Sequence, residues 1–318
     1  MFKGGQGGNT MSEFKKYHKI KILGDEENKN IFDNPEDDII IEEKMDGGNF
    51  RFVYGKQGLI LGSRTRELDD DNPNSKSFLR CINFIKSKLE LNVLRGDNLI
   101  FFGECMIKHS MNYDWENIPP FLGFDIFDLK TDMFLDYDKK KELFDYYGLP
   151  MVPLIGIKKA KEIKEITDDN VPDSKYYSPS AKDKKAEGIV LKNYSKQIFA
   201  KYVRDEFREI NKEAFGDSKK WARQNGDNEL LVATYCTNAR IDKAIFKLIE
   251  DGEKLDMTIM SLLPKAVIKD IYEENWQDVC YSNWNIDFRN VRKLITIRCL
   301  SVLKQVIVNN SLNLEEKQ

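Results

Sequence analysis

Ile39-Ile40-Ile41-Glu42-Glu43-Lys44-Met45-Asp46-Gly47-Gly48-Asn49-Phe50-Arg51-Phe52 is the stretch on which the fold turns. A β-branched run enters Asp46-Gly47-Gly48, and Phe50, Phe52 and Val53 carry an alternating run out of it. This is the pattern of two strands joined by a tight, hairpin-like turn in which glycine supplies a positive φ. The turn presents Lys44 at a strand end. An isolated Lys-x-Asp-Gly is ordinarily a solvated lysine beside a turn. A lysine kept neutral by partial burial or nearby cations is instead a nucleophile able to form a covalent intermediate. Side chains alternate along a strand, so Glu42 and Lys44 share a side.

Upstream, residues 1–12 are Gly-rich and read as a disordered segment outside the fold. From Glu13 to Leu23 the apolar residues fall at helical spacing, although Ile20-Lys21-Ile22-Leu23 also fits an extended chain. Downstream, Leu59–Gly62 reads as a strand running into Arg64 and Arg66, and Ser77–Leu91 as an amphipathic helix with Phe78, Ile82, Ile85 and Leu89 on one face. Leu99–Glu104 and Phe121–Asp128 read as strands, Tyr137–Tyr147 as a helix stopped at Gly148-Leu149-Pro150, and Ile157–Ile166 as a charged, helix-like stretch. Ala186–Lys192 and Ile198–Val203 read as adjacent strands. The polar segment 211–228 is the natural boundary, which gives domains at 13–224 and 225–318. Beyond Leu230 the periodicity is helical, with Ile241, Ile245, Leu248 and Ile249 in one apolar stripe and Val291, Leu294, Ile295, Val302 and Val306 in another. No repeat and no five-stranded barrel pattern is present.

The 318 residues, 41% hydrophobic and 32% charged, suit two soluble domains with a real core. The absence of a long apolar run or signal-peptide core predicts a cytoplasmic protein (host cytoplasm if viral) with no membrane association. Five dispersed cysteines without a C-x-x-C pair predict reduced, mostly buried thiols. With two histidines only, a histidine metal site or a Ser-His-Asp triad is hard to build, which leaves carboxylates and phosphates as the expected metal ligands. The net charge of −3 excludes a uniformly basic nucleic-acid binder, yet residues 182–223 hold 12 Lys/Arg against 7 Asp/Glu. That local excess, Lys182, Lys184 and Lys185 above all, is the footprint expected of phosphate contacts. Arg289, Arg292 and Lys293 stand at i, i+3, i+4 and share a helix face that fits RNA phosphate or plain solvent.

The order of short motifs has a recognisable content. Lys44-Met-Asp-Gly-Gly-Asn49, Ser63-Arg64-Thr65, Phe102-Gly103-Glu104, Phe124-Asp125-Ile126, Glu187-Gly-Ile-Val-Leu-Lys192 and Ala200-Lys201-Tyr202 together resemble the motif series of the covalent nucleotidyltransferases: DNA ligases, RNA ligases and mRNA capping enzymes. The chain is most similar to the RNA ligase 2 family. The opening Phe14-Lys15-Lys16-Tyr17, the asparagine five residues after the lysine, and the helical C-terminal part carry that likeness. DNA ligases and capping enzymes usually place Arg at the Asn49 position and follow with an OB-fold.

The resemblance implies an α+β architecture: an antiparallel-sheet nucleotidyltransferase domain, akin to ATP-grasp-like ligase adenylation domains, then an all-helical C-terminal domain. It implies an ATP-dependent RNA ligase that uses Mg²⁺, with Mn²⁺ as a substitute, and has RNA but no obligate protein as partner. Lys44 would attack the α-phosphate of ATP, Glu187 would hold the metal, and Lys201 would neutralise the α-phosphate. Glu104 would bind the ribose and Phe124, or alternatively Phe121, would stack on adenine. Glu42 would meet the adenine amino group, and Asn49, Arg64 and Lys192 would contact phosphate. Two departures stand out. Asp46 replaces the family's frequent histidine, and Phe199 occupies the place of a second lysine in the last motif, which leaves Lys196 or Arg204 to supply that charge. The rival readings are a DNA ligase or capping enzyme, and a catalytically inactive RNA-binding relative.

Overall fold

The structure, a computed structural model, describes residues 15–55, 58–64, 66–69, 77–89, 98–107, 113–181, 184–204, 207 and 226–315. The expected disordered segment 1–12 and the expected boundary at 224/225 lie outside them. Two compact units divide the chain, Met1–Arg204 and Asp205–Gln318.

Among the described residues the first unit builds two sheets. Strands β1 (Lys21–Ile22), β2 (Asp38–Glu43), β9 (Leu154–Lys159), β10 (Gly188–Asn193) and β11 (Ile198–Val203) form one, in the order β1-β11-β10-β2-β9. Strands β3 (Gly48–Gly55), β4 (Gly58–Ser63), β5 (Glu67–Leu68), β6 (Leu99–Cys105), β7 (Phe121–Asp128) and β8 (Met133–Phe134) form the other, ordered β5-β4-β3-β6-β7-β8. All pairings are antiparallel except β1 with β11.

The strand before Lys44 and the strand after it therefore belong to different sheets. The expected hairpin does not form: β2 pairs with β10 and β9, and β3 with β4 and β6. Neither Gly47 nor Gly48 has a positive φ. Residues 44–47 cross from sheet to sheet, and the long-range partner strands outweigh the local turn signal.

Alternation fixes the faces. Ile39, Ile41, Ile189, Leu191 and Ala200 point outward from the first sheet into one core with Ile31, Val171 and Ala186. Phe50, Phe52, Phe101 and Phe121 point outward from the second, where helix α1 (Leu79–Leu89) covers them with Phe78, Ile82 and Ile85, and helix α2 (Tyr137–Tyr146) adds Phe144. Each such fully buried side chain contributes roughly 1.5–3 kcal/mol. The inner faces meet through Tyr17, Val53, Ile100, Phe102 and Phe127 on one side and Ile40, Tyr194 and Phe199 on the other.

Two helix-like readings fail. Ile157 and its neighbours are extended in β9, because the edge of β2 takes a hydrogen-bonded partner there and Pro153 and Gly156 disfavour a helix. Helical spacing over Glu13–Leu23 gives way to the extended alternative, with Lys21 and Ile22 running along β11.

The second unit is helical among its described residues: α3 (Asp227–Tyr235), α4 (Asn238–Glu250), α5 (Leu263–Tyr281) and α6 (Phe288–Glu315). Its core joins both expected stripes, with Ile241, Ile245, Val291, Ile295 and Val302 buried beside Val267 and Ile271. Cys81, Cys105, Cys236 and Cys299 are buried free thiols and Cys280 is exposed. No described helix is long and apolar enough to cross a membrane.

Candidate active site

Lys44 continues β2 by one residue, its N–H donating to the Gly188 carbonyl at 3.0 Å. Gly188 is small by necessity, since a Cβ there would stand 2.1 Å from the Tyr202 carbonyl oxygen. That close approach of β10 to β11 brings Glu187 to Lys44: Lys44 Nζ and Glu187 Oε2 are 2.5 Å apart, with side chains 21% and 12% exposed. The crossing then docks on the other sheet. The Asp46 N–H donates to the Tyr113 hydroxyl at 3.1 Å, and the Gly47 N–H to Glu104 Oε1 at 3.0 Å. A Cβ on Gly47 would lie 2.5 Å from the Cys105 carbonyl oxygen, so glycine serves here for contact and not for φ.

The electrostatics follow from crowding. Burial pushes the Glu104 carboxyl up to about 8; Lys44 opposes this, and Asp46 and Glu187 reinforce it. Glu104 thus takes up a proton more readily than a solvated carboxyl. Glu43, on the opposite face of β2, is pushed by burial to about 7 against the pull of Ser174 and Lys175.

The structure brings Lys44, Glu187 and Glu104 together, with Asn49 opposite Glu104 in the β3–β6 register. Asn49 Oδ1 is buried with no hydrogen-bond partner among the described residues. Lys201 is in register with Val190, and Val190 with Glu42, which sets the three on one face. The Phe124 ring is half-buried between the Met45–Tyr113 cluster and the inter-sheet core. Phe121, the alternative ring, is fully buried in the outer core and unavailable for stacking. Arg64 is half-buried just past β4, with its charge felt at Tyr17 and His18.

Glu42 and Lys192 sit elsewhere than expected. Both are 1% exposed, inside a closed cluster between the sheets. Glu42 pairs with Lys140 at 2.6 Å and Lys192 at 2.7 Å; Asp125 pairs with Lys192 at 2.8 Å and accepts from the Tyr17 and Tyr194 hydroxyls, each at 2.6 Å. Both lysines also donate to the Phe124 carbonyl, at 2.7 and 2.8 Å. Burial opposes ionisation of Asp125, but Lys192 and Lys140 outweigh it and hold its carboxyl below the usual range. A Glu42 carboxylate so engaged does not open on an adenine amino group, and a Lys192 ammonium so enclosed does not reach phosphate. Alternation along β2, which puts Glu42 on the face of Ile40, and the interior place of β2 turn Glu42 into the gap.

Phe199 packs on His18, Phe134 and Tyr194. Lys196 donates to the Asn30 carbonyl at 3.0 Å, whereas Arg204 lies beside Glu187, its N–H on the Glu187 carbonyl at 3.0 Å. Lys182 lies outside the described residues. Lys184 is exposed, and Lys185 donates to the Asp168 carbonyl at 3.2 Å. Arg289, Arg292 and Lys293 are all exposed at the start of α6. Sequence reading missed Asp125, Lys140, Tyr17, Tyr194 and Tyr113. Asp125 and Tyr17 did carry a signal, since both stand in motifs that bear the family likeness, and Asp125 is also a charge amid Phe-Leu-Gly-Phe-Asp-Ile-Phe.

A family model described as RNA ligase matches residues 37–203. Among solved structures, Naegleria gruberi RNA ligase with PPi is 19% identical over 63% of this chain and 58% of that one, with a TM-score of 0.46. A glutamate-to-alanine mutant of the same ligase with ATP and Mn is 18% identical over 61% and 57%, again at 0.46. The chain thus covers little more than half the length of these structures. No curated protein matches. The family match opens one residue before β2 and closes on the last residue of β11, taking in every strand but β1 and each residue around Lys44, and the chain belongs to the RNA ligase family.

Proposed function

We propose that this chain joins RNA 3′-hydroxyl and 5′-phosphate ends at the expense of ATP, through a lysyl-AMP and then an RNA-adenylate, in RNA repair or nick sealing. The observation that carries this reading is the Lys44–Glu187 contact beside Glu104, a nucleophilic amine at the meeting of two sheets with carboxylates on either side.

In the first step the Lys44 Nζ–phosphorus bond forms as the bond from the α-phosphorus to pyrophosphate breaks. In the second, an oxygen of the RNA 5′-phosphate displaces Lys44 and takes AMP. In the third, the 3′-hydroxyl oxygen attacks the 5′-phosphorus and AMP leaves. Such transfers depend on positioning and charge neutralisation. Before nucleotide arrives, Lys44 Nζ donates to Glu187 Oε2, with 2.5 Å between the two atoms. In this reading Glu104 takes a ribose hydroxyl, Phe124 the adenine face, and Lys201 and Asn49 the phosphate oxygens.

No three His, Cys, Asp or Glu side chains among the described residues cluster into a metal cage. The hard oxygens of Glu187, with Asp46 and Glu104 near enough to be felt electrostatically, fit a Mg²⁺ or Mn²⁺ shared with ATP phosphates, the mode Mg²⁺ favours. A cation held by Glu187 would neutralise phosphate charge and, by repelling the ammonium, favour the neutral Lys44 amine.

Intact mass after incubation with ATP and Mg²⁺ tests the proposal. A gain of one AMP, absent from Lys44→Ala and reversed by pyrophosphate, is the expected result. No gain with ATP or GTP, and no loss with pyrophosphate, would overturn it in favour of an inactive RNA binder. Labelling by GTP alone would point to a capping enzyme.

A further inference from the structure

Helix α5 turns Lys265, Lys269, Tyr272 and Trp276 to solvent along one stripe, at helical spacing. Tyr272 and Trp276 are 59% and 38% exposed, with ring centroids 5.0 Å apart at 37°. Phe288, 57% exposed at the first residue of α6, adds a third ring 5.9 Å from Trp276 at 38°. The row then runs into exposed Arg289, Arg292 and Lys293, in a helix with no acidic residue in its first turn. Against these five cations stand Glu273, which Lys269 approaches at 3.7 Å, and Asp287, which accepts from the Arg289 N–H.

Three large rings left outside a well-filled helical core are not explained by folding. Lys265, Lys269 and Lys293 at the two ends of the row argue against a protein partner, because interface cores are depleted of lysine. Ring faces beside phosphate-seeking cations match unpaired nucleotides, whose bases stack on aromatic side chains while the backbone follows the positive charge. A duplex hides its base faces and offers this row nothing to stack on. We propose that the Tyr272–Trp276–Phe288 row and the cations around it form a binding platform for single-stranded RNA. This rests on RNA being the substrate and assigns a surface to its unpaired part.

The test is anisotropy of the full chain with a short unstructured RNA and with an RNA duplex, alongside adenylylation by ATP on the same samples. Trp276→Ala is expected to weaken single-strand binding by about 5- to 150-fold, the range of one lost base stack, and to leave duplex binding and adenylylation unchanged. Trp276→Phe is expected to restore most of the affinity. Arg289→Gln with Arg292→Gln should lower the salt slope by about 0.7 for each phosphate no longer neutralised. Single-strand affinity unchanged in a Trp276→Ala protein of normal helical content would overturn the proposal. Loss of self-association without loss of RNA affinity would overturn it too, and make the row a protein contact. A chain that adenylylates while Trp276→Ala is silent keeps the ligase reading and loses the platform. A chain that fails to adenylylate while Trp276→Ala still loses RNA keeps the platform and loses the ligase reading.

Discussion

Two lysine–carboxylate groupings lie within the first unit, one around Lys140 and Lys192 and one around Lys44. The first is closed. Its four charges balance, its side chains are 0–2% exposed, and tyrosine hydroxyls and the Phe124 carbonyl satisfy what the ion pairs leave over. The second is open, with Lys44 21% exposed and carboxyls of Glu187 and Glu104 beside it, the latter driven up to about 8. Where charge is enclosed and matched it holds two sheets in register. Where it is half-open it can exchange partners with an incoming ligand, which is what nucleotidyl transfer asks of a lysine.

That contrast makes its own tests. Lys44→Ala should lower nucleotide transfer on the order of 10³-fold or more, as loss of a covalent nucleophile does, with the thermal melt unchanged. A melt that collapsed would mean the open site is structural after all. Lys140→Met should do the reverse. It leaves a buried carboxylate short of its partner, costs about 3–5 kcal/mol in chemical denaturation, and spares transfer per folded molecule. A cost under about 1 kcal/mol would dissolve the distinction.

A finer probe is Glu43, buried beside the nucleophile but facing away from it. Its carboxyl rises from 4.5 to about 7, so the native state binds the proton more tightly than the unfolded chain. The stability this gives is present below pH 4.5 and lost as pH rises through about 7, a change of about 3 kcal/mol. Glu43→Gln should flatten that part of the stability–pH curve, and an unaltered curve would place the titration elsewhere. Smallest is Gly47→Ala, whose Cβ would meet the Cys105 carbonyl. It should cost about 1–3 kcal/mol and slow transfer by shifting the crossing. Gly156→Ala, with nothing within 4 Å, should do neither.

Much of the fold could be read before the structure, and what could not be read has a common cause. The strands β6, β7, β10 and β11 and the helices α1 and α2 announce themselves by period, since each carries its own apolar face. The stretch 39–52 misleads because a crossing between sheets and a hairpin share the same local letters. Only the arrival of β10, some 145 residues later, separates them. At the site, Lys44, Glu187 and Glu104, drawn from three separate motifs, lie close together. Lys140 could not be picked out, because Lys139 and Lys141 flank it and only tertiary packing makes the middle one fully buried. Glu42 was assigned to the right face and the wrong partner, for the same reason.

The order in which the strands leave the ribosome gives the two-sheet arrangement a further consequence. The second sheet is drawn from one continuous span, 48–134, and can assemble as that span emerges. The first takes strands from 21–22, 38–43, 154–159, 188–193 and 198–203, so it waits for nearly the whole unit to be made. Lys44 meets Glu187 across 143 residues of chain. A nascent or truncated polypeptide ending before β10 therefore holds the lysine without its carboxylate, and on the proposed mechanism the capacity to capture nucleotide arrives only with the last strands of the unit.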